Sequence, residues 1–519
     1  MNKKKIFLLT ALLAVSASVL SGCGGNKETG GEQGNKLTYW VPFYSHYQQL
    51  YTNYSEVPFY QELQKRTDCE IEFIHPTVGQ EDESFSLMIA SDNLSDIIEY
   101  SISKYKGGPE KAISDNVIMD LTDVINTKAP NLKKVLDEND EWRKLVSTDS
   151  GQYFCFPAIR GDSSLTFWMG PQIREDYLEK VGMECPETID EWTAVLTAFK
   201  EKLGIKYPLT LLNSDHAQLM VASAYNVTGA NNFYLEGDTV KYGPLEPGYE
   251  EYLKTMNDWY SKGLIDPDFA VQDSKTFDAK VASGEAGAYF NSVGGGMGKF
   301  ITATKQNNPE AKIRAAKFPV VNKGDTPRFG FSQSPFIDAQ SAMLSIDCEN
   351  IDAAARLLDY AYSDEGHMFY NFGTEGVSYT MVDDYPTYTE EVTNNPDGLS
   401  MQDAMSKYCR GAVMGPMIQD ARYFEQYQQT PEQKETAEIW SLSDTDWQMP
   451  PVTLTTEEAN RISSKQTEII TYVNEMSLKF IMGAEPLSDI QKFRDTIKNM
   501  GIDSVLEVQQ TAYERFKER

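Results

Sequence analysis

Two kinds of residue in this chain have the type and the spacing to do chemistry. One is Cys23, which ends the run Leu20-Ser21-Gly22-Cys23 after a basic start at Lys3-Lys4-Lys5 and an apolar stretch from Ile6 to Leu20. A thiol placed there can accept a lipid and become the N-terminus once the leader is cut. The other kind is flat and binding rather than bond-breaking: Trp40, Tyr44, Tyr100, Trp168, Tyr225 and Tyr289 each adjoin a predicted strand end or a Gly- or Asn-bearing loop, away from the apolar stripes of helices. An aromatic ring covers the C–H face of a polar ligand, and tyrosine adds a hydroxyl with few rotors to freeze. The chain holds 7 Trp, 29 Tyr and 24 Phe, so many of these rings belong to the core.

Other chemistries find little footing. His46, His75, His216 and His367 are scattered without metal spacing, and no Gly-x-Ser-x-Gly elbow accompanies them. Gly294-Gly295-Gly296-Met297-Gly298-Lys299-Phe300 imitates a phosphate loop, but Val293 replaces the first required glycine and Phe300 stands where a hydroxyl should meet magnesium. We therefore read it as a flexible loop. Asp137-Glu138-Asn139-Asp140-Glu141 and Asp266-Pro267-Asp268 lack the ligand spacing, central glycine and closing glutamate of a calcium loop. No catalytic residue, metal site or cofactor is assigned. A formal charge of −30, about −33 once the three leader lysines are removed, sets nucleic acid aside as a partner.

Residues 1–22 read as the signal peptide of a lipoprotein, with Cys23 in the lipobox position, and residues 23–35 as a lipidated cysteine on a flexible tether. The lipid would hold the protein on the outer face of a cell membrane. Cys69, Cys155, Cys185, Cys348 and Cys409 are widely spaced and odd in number, so no disulfide is assigned.

The remaining length exceeds one core and calls for two lobes. Lys36–Trp40, Cys69–Ile74 and Asp96–Tyr100 are predicted strands; Pro58–Thr67, the run around Phe85-Met88-Ile89 and Lys104–Ser114 are predicted helices. This βαβαβ order implies a parallel sheet with its site beyond the carboxyl ends of the strands. Thr188-Ile189-Asp190-Glu191 is a capping box for a helix that closes at Gly204. The C-terminal third is helical, with a long helix opening at Thr455-Thr456-Glu457-Glu458 and others over 487–500 and 503–516.

Several segments resemble the family of extracellular solute-binding proteins of carbohydrate ABC importers, in its large lipoprotein form. They are Pro186–Trp192, Trp259–Pro267, Phe277–Phe290, Ile351–Tyr360 with Ser363–Gly366, and Asn371–Tyr379, in family order across nearly the whole mature chain. The resemblance implies an α/β, two-lobe periplasmic-binding-protein-like (type II) fold with hinge, ligand cleft and a helix-rich C-terminal part. Lobe 1 would be 36–160 plus 325–375 and lobe 2 161–324 plus 376–519, with a hinge crossing at 322–327.

The implied function is capture of an oligosaccharide and its delivery to the ABC permease subunits by a monomer that is not an enzyme. The family's ligand loop maps onto Asn291, Ser292 and Val293, while Glu99, Arg160, Glu375 and Tyr379 fall near strand ends or the proposed crossing. Two other readings stay open: the same fold binding a peptide or other polar solute, and a surface glycosidase using two of the 77 acidic residues.

Overall fold

The structure, a computed structural model, describes residues 35–519 apart from positions 49, 92, 214 and 330–333. Cys23 and tether residues 24–34 lie outside the described residues. The first sheet grows from the predicted βαβαβ run. β1 (Lys36–Trp40) pairs in parallel with β2 (Glu70–Ile74) on one side and β3 (Ile97–Glu99) on the other. β11 (Ala342–Leu344) adds antiparallel to β3, so the order is β11-β3-β1-β2. β2 shows why the sheet forms: Ile71 and Phe73 point into the core while Glu70, Glu72 and Ile74 face outward. The helix between β1 and β2, Pro58–Thr67, starts with proline in its first turn and ends at Asp68 in the left-handed conformation. Phe59, Tyr60 and Leu63 form its buried face.

Beyond Phe156, which bridges to Ala342 of β11, the chain runs through β4 (Ile159–Arg160) into a second sheet. That sheet has the order β10-β5-β9-β6, from β5 (Met169–Arg174), β6 (Tyr207–Thr210), β9 (Ala286–Ser292) and β10 (Ile313–Ala315). β9 lies antiparallel to β5, Ser292 opposite Met169, and parallel to β6. Two hairpins decorate the fold: β7 (Phe233–Glu236) with β8 (Thr239–Tyr242), and β12 (Tyr379–Val382) with β13 (Tyr385–Tyr388). β14 (Ile418–Gln419) pairs in parallel with β4.

Each sheet carries its own apolar core. The first includes Leu37, Trp40, Phe59, Ile97, Phe156, Ala342, Leu357 and Phe369; the second includes Ile173, Trp192, Phe199, Trp259, Phe277, Tyr289, Phe300, Val473 and Val505. The chain leaves the first core after Phe156, returns at Phe336 and leaves again between Tyr370 and Phe372. It touches the first core once more at Val413 and Met417, and Phe516 packs against it from the C-terminal helix. Where the chain passes between cores it is held as paired strands: Ile159 lies between Phe336, antiparallel, and Ile418, parallel. Of residues 322–327, the expected crossing, 322–326 are exposed and Pro327 is buried just before Arg328 bridges to Asp444.

Helix ends form as expected where the caps are explicit in the sequence. The Thr188 hydroxyl accepts from the Glu191 N–H at 3.2 Å while the Glu191 carboxylate accepts from the Thr188 N–H at 3.2 Å, and the helix Ile189–Leu203 ends at Gly204 with φ of +68°. Three expectations need correction. The helix expected over 104–114 spans Gly108–Ser114, because Ile102–Lys104 is a separate tight turn and Gly107 breaks the run at φ of +103°. The helix expected over 487–500 is Ile490–Asn499, preceded by another tight turn. The glycine run is not a flexible loop: Val293–Met297 forms a π-helical turn leading straight into the helix Gly298–Asn307. Its glycines make room for neighbours, since a Cβ on Gly294 would come within 2.3 Å of the Tyr427 ring. Among the described residues no helix is long and apolar enough to cross a membrane.

Candidate ligand-binding cleft

The carboxyl ends of β1 and β3 form one edge of the first sheet, and the ends of β6 and β9, with the start of β5, form one edge of the second. The run from Phe156 to Met169 ties these edges together. At its first end Phe156 bridges Ala342, which lies opposite Glu99; at its last end Met169 lies opposite Ser292. Side chains that follow these strand ends are therefore the ones a ligand between the lobes would meet.

In the first lobe Trp40, Glu99, Tyr100 and Tyr44 come together. The Trp40 and Tyr100 rings meet edge to face at 5.3 Å, with Trp40 buried and Tyr100 partly exposed. The Tyr100 hydroxyl donates to Asp82, a carboxylate that also pairs with Lys104 at 2.9 Å. Tyr44 is partly exposed; burial first, then the Glu99 carboxylate, raise its hydroxyl above the ordinary range, so it stays protonated and able to donate. Glu99 itself is wholly inside. Its carboxylate takes two bonds from Arg410, at 2.6 and 2.9 Å, and one from the Tyr39 hydroxyl at 2.7 Å. It fixes the strand end against the 410–419 segment, leaving the contact surface to its aromatic neighbours.

In the second lobe Trp168, Asn291 and Ser292 come together. The Trp168 carbonyl accepts from the Val293 N–H at 2.9 Å, and Gln172 Nε2 donates to the carbonyls of Asn291 at 2.8 Å and Ser292 at 3.1 Å. The Ser292 hydroxyl caps the π turn by accepting from the Gly296 N–H at 3.0 Å. All three side chains are partly exposed. Tyr289 lies on the same strand with its ring fully enclosed between Phe277 and Phe300, at 6.2 and 5.3 Å.

Arg160 lies on the crossing strand itself and donates to the Ser334 carbonyl at 3.0 Å; burial lowers its pKa to about 10. Tyr225 turns toward the helix Pro247–Ser261, its hydroxyl 2.5 Å from that of Thr255. Glu375 and Tyr379 bridge one another at the base of the β12–β13 hairpin, Glu375 exposed and Tyr379 buried against Phe372 at 5.9 Å.

Two residues missed in the sequence stand at the first lobe's edge. Asp338 accepts from the Ser101 hydroxyl and from the backbone N–H groups of Ile102, at 3.2 Å, and Ser103, at 3.1 Å. Gln340 lies beside Tyr44 and donates to the Val413 carbonyl at 2.8 Å. Both precede β11, a three-residue antiparallel strand too short to leave a periodic signal, and lie in the short helical turn Asp338–Gln340 that leads into it. Among the described residues no group of three or more His, Cys, Asp or Glu is disposed to hold a metal ion.

Two α/β lobes joined by paired crossing strands, with aromatic and amide groups at the linked strand ends, define a two-lobe solute-binding protein. Residues 47–368 match the family of bacterial extracellular solute-binding proteins, and the chain belongs to that family. It is 26% identical over 345 residues to the fructooligosaccharide ABC transporter substrate-binding protein FusA of Streptococcus pneumoniae, a match covering 61% of this chain and 59% of that relative's length. It is 24% identical over 419 residues to the lipoprotein LipO of Bacillus subtilis, covering 76% of this chain and 78% of LipO. Among solved structures, the alginate-binding protein AlgQ2 superposes with a TM-score of 0.79 at 19% identity, over 93% of this chain and 99% of AlgQ2. FusA of S. pneumoniae in complex with kestose superposes at 0.75, also at 19% identity, over 93% and 99% of the two chains.

Proposed function

We propose that this chain is the substrate-binding subunit of a carbohydrate ABC importer: it captures an oligosaccharide between its lobes and hands it, chemically unchanged, to the membrane permease. The observation that carries this reading is the placement of Tyr44 and Tyr100 at one sheet edge and of Trp168, Asn291 and Ser292 at the other, the two edges tied by one short crossing run. Rings of this kind cover the apolar faces of a sugar, and amides and hydroxyls beside them meet its rim. The names of FusA and AlgQ2 support a saccharide as ligand class.

Closure of the lobes about the paired strands near Ile159 would seal the ligand and present a closed shape to the permease. Lobe 1 is proposed as 36–160 plus 325–375 and lobe 2 as 161–324 plus 376–519, the short returns at Val413, Met417 and Phe516 fastening one to the other. A lipid on Cys23 would keep the monomer at the outer membrane face, raising its effective concentration near the permease.

The test is a thermal-shift screen of the chain lacking residues 1–22 against neutral oligosaccharides, anionic oligosaccharides and peptides, followed by chromatography of each hit. A ligand that binds the native state alone raises the melting temperature. A rise with a saccharide recovered intact is the expected outcome. Cleavage products would overturn the transport reading, and a rise with peptides alone would overturn the saccharide.

A further inference from the structure

The first lobe's edge does not end at Tyr100. Asp338, by holding both Ser101 and Ser103, carries the chain from that edge directly into a groove of about 720 Å³. One wall is Ser103, Tyr105 and the turn at Gly107 and Gly108, from the first lobe. The other wall comes from the helices Thr456–Ile481 and Ile502–Glu518, whose cores belong to the second lobe, and includes Ser464, Gln466 and Gln509. A volume of this size lies within the usual range for small-ligand sites.

Gln509 marks the groove as more than a seam. The residue is 7% exposed and lines the groove, where its amide is open to the groove rather than sealed in the core. An amide held in place by its buried stem and open to a groove can exchange water for a ligand hydroxyl at little ordering cost. The facing wall supplies matching chemistry. The Tyr105 ring is held in place by a bond from its hydroxyl to Asp115 at 2.5 Å, and Gly107 and Gly108, both at positive φ, let bare backbone approach an occupant. Lys106 and Glu468 put one charge of each sign at the rim, so neither a polyanion nor a polycation is favoured.

We infer that this groove is an extension subsite for the distal units of a neutral, hydroxyl-rich glycan whose first units sit at Tyr44, Tyr100 and Trp168. The inference rests on the saccharide reading above. Because its walls come from different lobes, occupancy also favours the arrangement in which the lobes lie close, so longer chains both gain contacts and draw the lobes together.

The experiment is calorimetric titration with neutral fructan, glucan, mannan and xylan ladders of increasing length and an oligogalacturonate ladder, on wild type, Ser464→Trp and Gln509→Leu. Ser464 is exposed, so its replacement fills the groove without touching a core. The expected result is a neutral ladder whose long members bind about tenfold more tightly than its shortest, the margin of one or two good hydrogen bonds. That margin is lost in both variants while the shortest member binds as before. Equal affinity at all lengths, or a length preference that both variants keep, overturns the groove and leaves the cleft standing. A preference for the anionic ladder overturns the neutral class. Binding of no saccharide at any length overturns the reading on which the inference rests.

Discussion

Glu99 and Arg410 show how a residue placed at the mouth of a site can serve it from behind. Both are enclosed, and removing one partner strands the other as an unpaired buried charge. Arg410→Met is expected to cost about 3–5 kcal/mol of unfolding free energy in urea titrations, and the double change Glu99→Gln/Arg410→Met to recover most of it. Asp420 next to β14 makes a second such anchor. Burial acts to raise its pKa, but bonds with His367 at 2.9 Å and with Arg422 outweigh burial and hold the carboxylate below the ordinary range. A folded value below the unfolded one, about 3.9, means its contribution is complete above that pH and is lost as pH falls toward the folded value. The stability gap between wild type and Asp420→Asn, followed by melting at a series of pH values, is expected to narrow below about pH 4. Two of these pairings were not legible beforehand: Arg410 lies 311 residues from Glu99 and His367 lies 53 from Asp420, and spacing along a chain carries no trace of such distances.

Elements were legible in proportion to how much of their specification is local. Helices that open on Thr188 or Thr455 carry reciprocal caps within four residues, and β2 alternates visibly. β4, β11 and β14 span two or three residues each and exist only because distant segments pair with them, so nothing local announces them. The glycine turn is the instructive case, since its composition suggested mobility and its neighbours impose the opposite. A Cβ on Gly296 would come within 2.3 Å of Asn291 Oδ1 and 2.9 Å of the Ser292 hydroxyl, whereas one on Gly287 would meet Phe199 at 2.5 Å inside the second core. Gly296→Ala is therefore expected to weaken saccharide affinity severalfold in calorimetry. Gly287→Ala is expected to lower the melting temperature, at about 1–3 kcal/mol of overpacking, with affinity kept in the molecules that remain folded.

For the molecule as a whole, the two-lobe plan followed from length, strand order and the family segments, while the late returns to the first core at Val413, Met417 and Phe516 left no signal in the sequence. With the proposed hinge made of paired strands rather than one loose linker, the lobes are expected to rotate about a line near Ile159. Small-angle scattering is expected to show a smaller radius of gyration with saturating ligand than without, and no change with sugars that fail to raise the melting temperature. The C-terminal helix adds to this restraint. Asp149 of the first lobe accepts from Arg515 at 2.6 Å and from Arg519 at 2.7 Å, and Arg519 also donates to the carbonyls of Lys144 at 3.0 Å and Ser147 at 2.7 Å.

The same stitching has a consequence in time. A chain made from its N-terminus lays down β1, β2 and β3 first, yet β11, Arg410, Met417 and the last turn of the C-terminal helix, all parts of the first lobe's packing, are made hundreds of residues later. The second lobe, whose sheet strands lie between residues 169 and 315, has its sheet in hand sooner. Both lobes wait for the C-terminal helices, since Val473 and Val505 belong to the second core, but the first lobe begins earlier and so waits longer. Until then it holds an open edge at β3 and an unpaired Glu99, so its exposure during maturation is set by how fast the remaining chain is delivered rather than by its own folding rate.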